Sequence, residues 1–373
     1  MDLFRAVASL CGANNWPESG QVASLKRLIG EAEHYLFVLI DGLGMNLQHC
    51  FAQSGFLATH YELELRSVCM STTAAALSSL ATAAWPAQHA IPAWFTHLPD
   101  LKRTIIPLLF QNRETEEALG KFGVDPVDIF PTPSVLPRFT RYCHSFLKKD
   151  YTSGGFAEWS KGGTAVTGFR DIDDAVKRVS KHINGLRQPS YTYLYISDVD
   201  HMEHECGPQS PEAEAVVALV DAGLRHLESS LNRPTRIVAT ADHGHVRVPE
   251  QNRVLLKPED ELLQTLHVPP SGESRMPLFH VRPGRQDEFL HLFRQKLGRH
   301  FVALPCAAAE ELELFGPGKL SAPMESRIGN YLGISRNPAA LIYVPPSGTP
   351  TLDHVGFHGG LHPAEMRVPL FLA

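Results

Sequence analysis

Three short apolar runs along the chain stop abruptly at acidic residues. Tyr35–Ile40 runs into Asp41-Gly42, Tyr191–Ile196 into Ser197-Asp-Val-Asp-His201, and Arg236–Thr240 into Ala241-Asp-His-Gly244. Apolar residues at successive rather than alternating positions are what a strand buried on both faces requires. Between these runs the apolar residues recur at three and four: Val176, Val179, Ile183 and Leu186, then Val216, Val220, Leu224, Leu227 and Leu231. That spacing is the stripe of an amphipathic helix. Strands alternating with helices predict an α/β fold with a mainly parallel central sheet and helices on both faces. Ligands of such sheets bind beyond the carboxyl ends of the strands, so the three acidic strand ends are expected to meet at one crevice.

After His245 the pattern changes. Met276–Val281 reads as a short strand, Phe289, Phe293 and Leu297 as one face of a helix, and Phe301–Leu304 as a second short strand. The Pro- and Gly-rich segments Val268–Gly272 and Val344–Gly348 punctuate this stretch. The expected organisation is a catalytic core made of 1–249 and 336–373, with a small inserted α+β cap at 250–335.

Composition narrows the functional classes. The 373 residues are 43% hydrophobic and 20% charged with a net charge of −6, as in an ordinary globular chain and not in a basic reader of nucleic-acid backbones. An anionic substrate would therefore need positive charge from another source, such as bound metal. The six cysteines are scattered without a Cys-x-x-Cys pair, so neither a zinc knuckle nor a disulfide scaffold is expected. No apolar run approaches the roughly 18 residues of a membrane span, and the amino terminus lacks a convincing leader and cleavage site. The cytoplasm is the expected compartment, with no membrane partner.

The candidate chemistry lies at the strand ends and in two loops. Met70-Ser-Thr-Thr-Ala-Ala-Ala-Leu77 places three hydroxyls before a run of alanine, serine and leucine. A helix is expected to begin near Ser71–Thr73, with the hydroxyls at its amino end, where unpaired N–H groups suit phosphate. Asp41-Gly42 alone is a common turn. Asp200 and His204 are four apart and share a helical face. Asp242-His243 ends an apolar strand, where adjacent ionisable residues rarely serve packing. His358, in Phe357-His-Gly-Gly-Leu-His362, sits among glycines that free the backbone to approach a site.

In this order the motifs resemble the alkaline phosphatase superfamily, most closely its type I phosphodiesterase/nucleotide pyrophosphatase branch. The resemblance runs from about Val38 to Leu370 with a long unmatched interior. It rests on Asp41 after the first strand, Thr73 at a helix start, Pro86-Ala-Gln-His89-Ala-Ile91, Asp200-xxx-His204 leading to Gly207-Pro208, Asp242-His-Gly244, and His358-Gly359. It implies a hydrolase of small-molecule phosphate esters with two divalent ions, zinc first and manganese as the other candidate. Asp200, His204 and His358 would hold one ion, and Asp41, Asp242 and His243 the other. Thr73 would lie beside the second ion as the nucleophile, giving a phosphothreonine intermediate.

Two departures accompany the resemblance. Ala74-Ala-Ala-Leu77 follows Thr73 where many nucleotide pyrophosphatases have Phe-Pro-Asn-His, and Trp94 stands where they place a phosphate-binding Asn. Candidates for that Asn's role are the indole of Trp94, Arg275 and His245. Their plainer readings are a pocket wall for Trp94, an exposed ion pair for Arg275, and a residue behind the metal ligands for His245. The phosphodiesterase expectation competes with a phosphomonoesterase or phosphonate hydrolase on the same site, and with a catalytically silent metal-binding relative.

Overall fold

The three apolar runs lie side by side at the centre of one sheet. In the computed structural model, which describes residues 1–14, 16–17, 19–347 and 354–373, seven strands form this sheet. Numbered along the chain they are β1 His34–Ile40, β2 Tyr61–Arg66, β3 Tyr142–Lys148, β4 Ala165–Phe169, β5 Ser190–Ile196, β6 Thr235–Thr240 and β7 Arg367–Leu372. Their spatial order is β2-β7-β6-β1-β5-β3-β4. All neighbours are parallel except β7, which runs antiparallel to both β2 and β6. The α/β expectation holds.

The alternation of side chains along β1 builds two cores. Leu36, Val38 and Ile40 point to one face, where the helices Ile172–Gly185 and Pro211–Ser230 present Val176, Val179, Ile183, Val217, Val220 and Leu224. Tyr35, Phe37 and Leu39 point to the other, against the helices Asp2–Leu10 and Gly20–Ile29. Each fully buried large side chain contributes about 1.5–3 kcal/mol relative to exposure. A strand sandwiched in this way favours apolar residues on both faces, which is why Tyr35–Ile40 reads as an unbroken apolar run.

The expected strand and helix after His245 are present as Pro277–Phe279 and Gln286–Leu297, followed by the strand Phe301–Pro305. These two strands and Tyr331–Ser335 and Ser271–Gly272 make a four-stranded antiparallel sheet, with Phe289, Phe293 and Leu297 packed on Phe279 and Phe301. A parallel pair, Arg253–Leu256 with Ala340–Tyr343, forms a stem to this unit, so pairing at its base runs past residue 335. Of the Val344–Gly348 segment, Gly348 lies outside the described residues. Among the described residues no helix is long and apolar enough to cross a membrane.

Candidate active site

The parallel register brings the acidic strand ends level. Leu39 of β1 faces Thr240 of β6, so two residues further on Asp41 and Asp242 leave the sheet together. Ile40 faces Ile196 of β5, and the chain then enters the helix Asp198–Cys206 carrying Asp200, Glu203 and His204. Asp200 N–H donates to the Asp41 carbonyl at 3.1 Å. This approach requires a glycine: Gly42 has φ +79°, and a Cβ there would lie 2.7 Å from Asp200 Cα.

The opposite side of the site is the helix Thr73–Thr82, entered through an extended Thr72. It starts where the hydroxyls predict. The loop before it is stitched to the late His-Gly segment: Ser71 Oγ donates to the Gly360 carbonyl at 2.7 Å, and the Ser71 carbonyl accepts from Gly359 N–H at 2.9 Å. His89 pins the helix from behind. Its Nδ1 accepts from Ile91 N–H, so Nε2 carries the proton to Ser79 Oγ at 2.9 Å. Burial lowers the His89 pKa to about 3, which keeps that tautomer neutral.

Two donor clusters result. Asp41, Asp242 and His243 form one, and Asp200, His204, His245 and His358 the other, with the ligand atoms of each cluster within 4.8 Å of one another. Thr73 Oγ1 sits 3.1 Å from His243 Nε2 and 3.4 Å from both Asp41 oxygens. Asp242 Oδ1 accepts from Gly42 N–H and His243 N–H, while its Oδ2 is buried without a partner. Tyr195 O–H donates to Asp41 Oδ2.

The hydrogen bonds fit both clusters to cations. His204 Nδ1 lies 2.9 Å from the Gly356 carbonyl and His358 Nδ1 lies 3.1 Å from the Ser71 carbonyl, so each Nδ1 carries the proton. Their Nε2 atoms then face one another at 3.2 Å, lone pair to lone pair. This contact is repulsive in the bare protein and favourable around a shared cation. Burial, then the charges of Asp242 and Asp200, pushes Asp41 well above the ordinary carboxylate range. Burial would also raise Asp200, but His204 beside it and the hydrogen bond from His245 hold it well below that range. Burial, then the neighbouring imidazoles, drives His358 well below its usual value, leaving it neutral as a ligand must be.

The remaining candidates are placed differently. His245 is inside the second cluster, its Nε2 2.9 Å from Asp200 Oδ1, with a pKa lowered by burial to about 3. Trp94 is half-buried and lines the cavity that holds Thr73, Asp41 and Asp200. Arg275 is 1% exposed and does not line that cavity. Its Nε donates to Glu365 Oε1 at 2.7 Å and its Nη1 to the Asn337 and Ala339 carbonyls, a buried ion pair where an exposed one was expected.

Sequence reasoning did not single out Tyr195, Glu203 or Glu273. Glu203, on the same helix as Asp200 and His204, is fully buried with its Oε2 3.8 Å from His245 Nε2. Glu273 accepts from Trp94 N–H at 2.6 Å and packs where a side chain at Gly359 would have to go.

Comparison with known proteins accords with this geometry. No curated protein matches the chain by sequence. Among solved structures, mouse ectonucleotide pyrophosphatase/phosphodiesterase 5 is 15% identical, with a TM-score of 0.66 over 90% of this chain and 87% of that one. An inactive threonine-to-alanine form of that protein was solved with AMP. Phosphonoacetate hydrolase from Sinorhizobium meliloti, solved with phosphonoformate, is 18% identical, with a TM-score of 0.65 over 90% of this chain and 89% of that one. At these identities the likeness is one of fold, that of the alkaline phosphatase superfamily. The model of the type I phosphodiesterase/nucleotide pyrophosphatase family matches residues 35–360. The chain belongs to that family, and is with it a metal-dependent hydrolase of phosphoric esters.

Proposed function

We propose that the protein is a two-metal phosphodiesterase whose nucleophile is Thr73. The observation that carries this reading is the position of Thr73 Oγ1, at a helix amino end and within 3.4 Å of both Asp41 oxygens and of His243 Nε2. Asp41, Asp242 and His243 would hold one divalent ion beside it, and Asp200, His204, His358 and His245 the other. The mixed imidazole and carboxylate set suits zinc, with manganese as the other candidate. Such ions would supply charge to the phosphoryl oxygens and lower the pKa of the Thr73 hydroxyl.

The residues do the rest. Thr73 releases its proton to solvent and attacks phosphorus; the Oγ1–P bond forms as the bond to the leaving oxygen breaks, and that oxygen takes up a proton from solvent. The first turn of the helix Thr73–Thr82 offers its free N–H groups to the phosphoryl oxygens. Water then cleaves the phosphothreonine and restores the hydroxyl. AMP and phosphonoformate in the solved relatives support a small phosphoryl ligand here. A cavity of about 320 Å³ adjoining Thr73 favours a diester, since it leaves room for a second ester arm.

The test is turnover of an aryl phosphodiester against the matching monoester, with zinc-loaded and manganese-loaded protein, for wild type and Thr73→Ala. Thr73→Ala should lose at least about a thousandfold in kcat/KM while keeping its bound metal. Full turnover in that variant would refute the mechanism, and a monoester preference would move the reading to a phosphatase.

A further inference from the structure

A third set of metal-ligating side chains converges on the surface, outside the two catalytic clusters. His49 and Cys50 end the short 3-10 helix Met45–Cys50, and Glu214 lies in the first turn of the helix Pro211–Ser230. One ligand atom from each lies within 4.8 Å of the others. His49 and Glu214 are 165 residues apart in the chain, so tertiary packing alone unites them. That packing is firm at both ends. Leu47 is fully buried in the core that also holds Val217 and Val220, Cys50 packs against the same core, and Ser210 Oγ caps the longer helix by accepting Ala213 N–H at 3.2 Å.

Hydrogen bonding orients the imidazole. His49 Nδ1 lies 3.2 Å from the Asn46 carbonyl, so Nδ1 carries the proton. Nε2 then turns its lone pair to Glu214 Oε1 at 3.1 Å and to Cys50 Sγ at 3.3 Å. The thiol can donate to Nε2, but the carboxylate is an acceptor and meets a lone pair. A cation between the three groups makes every contact favourable. The separations suit one: tetrahedral ligation at about 2.0–2.3 Å sets neighbouring donors about 3.3–3.6 Å apart, within a few tenths of an ångström of those present. His49 and Glu214 are about half exposed, which gives an ion its entry path and leaves a coordination position to water.

We propose that His49, Cys50 and Glu214 form a third metal site, for zinc or another thiophilic divalent ion, which joins the helix Met45–Cys50 to the helix Pro211–Ser230. Magnesium and calcium prefer all-oxygen sites and are poor occupants. Binding displaces the Cys50 thiol proton to solvent, and the thiolate and the Glu214 carboxylate together balance the two charges of the ion. The ion would brace the catalytic loops from behind. A Cβ at Gly44 would lie 2.4 Å from Asn46 Oδ1 and 2.5 Å from Gly244 Cα, so the helix Met45–Cys50 starts against the segments that carry Asp41 and His243. The competing arrangement is a surface ion pair between a doubly protonated His49 and Glu214, with no metal.

Metal-free full-length protein is titrated with cobalt and followed by absorption. The catalytic clusters offer only oxygen and nitrogen, so of the three sites this one alone can give a thiolate-to-cobalt charge-transfer band in the near ultraviolet. The band should appear within three equivalents, vanish when zinc is added, persist in magnesium, and be lost in Cys50→Ser. Zinc retained after dialysis, read by elemental analysis, should fall by one ion per chain from wild type to Cys50→Ser, whatever the catalytic clusters hold. His49→Ala and Glu214→Gln, both at half-exposed positions, should weaken cobalt binding at the band at least about tenfold, with folding checked by circular dichroism. Absence of the band, its survival in Cys50→Ser, or equal zinc content in wild type and all three folded variants would overturn the inference. A band that needs a large excess of cobalt would overturn it too, as the mark of an adventitious ion only. None of these readouts passes through Thr73, so failure of the phosphodiesterase reading leaves the third site standing, and the reverse.

Discussion

Glu273→Gln tests how the departures around Trp94 are accommodated. Glu273 is 7% exposed; its Oε1 accepts Trp94 N–H and its stem lies against Gly359. Burial, opposed in part by that hydrogen bond, raises its pKa from 4.5 to about 7. Below pH 4.5 the carboxyl is protonated in both folded and unfolded chains and makes no pH-dependent contribution. Between 4.5 and about 7 the unfolded chain releases the proton while the folded one retains it, so stability falls as pH rises. The rise of about 2.5 corresponds to about 3 kcal/mol lost by pH 8. Glutamine keeps the acceptor for Trp94 and does not ionise. The variant should therefore match the wild type near pH 4.5 and exceed it progressively up to pH 8, by several degrees in Tm. Thermal unfolding of both proteins across this range measures the difference, and metal release at low pH, common to both, cancels. A difference that is constant with pH, or a variant less stable at pH 8, would refute the reasoning.

The clusters make two further predictions. His358→Ala removes a donor whose Nε2 meets that of His204, and His245→Ala removes the group bonded to Asp200 Oδ1; each should weaken one metal site about 10- to 100-fold. Competition with a zinc-binding dye reads this without any turnover, and unchanged affinity in His245→Ala would remove His245 from the metal site. Chelation should lower Tm, by the equivalent of about 2.7 kcal/mol for a protein held at one hundred times its metal Kd, because it leaves Asp41, Asp200 and Asp242 buried against one another. An unchanged Tm after verified metal removal would mean the carboxylates are neutralised by protons alone.

The sequence disclosed the centre of the fold better than its edges. β1, β5 and β6 are legible because most of their positions are buried and most are apolar or aromatic. β3, Tyr-Cys-His-Ser-Phe-Leu-Lys, has Ser145 and Leu147 on the cavity wall, and its mixed polarity hides it. β2 at the sheet edge half-buries alternate residues and exposes the rest, and β7 carries Pro369, which argues against a strand by local rules. The site was legible as a set of strand ends. His245 was not placed, because its position depends on the bend after β6 and not on any periodicity. Its one signal is spacing two residues from His243. Glu203 had a signal too, three residues after Asp200 and so near it on the helix, but nothing local distinguishes a buried glutamate from a solvated one.

Charge argues for the diester independently of the cavity. Asp41, Asp200 and Asp242 bring three negative charges to the clusters, and the imidazoles stay neutral when they act as ligands. Two divalent ions would leave the ligand set at +1 while the Thr73 hydroxyl keeps its proton. A diester phosphate carries one negative charge and balances it; a monoester near neutral pH carries close to two. At an effective dielectric of 20, an uncompensated unit charge 4 Å away is worth about 4 kcal/mol. A site built for monoesters would bring another cation to the phosphate. Arg275, the candidate for that part, is held by Glu365 and two carbonyls, and at the position of the family's phosphate-binding Asn stands Trp94, which is uncharged.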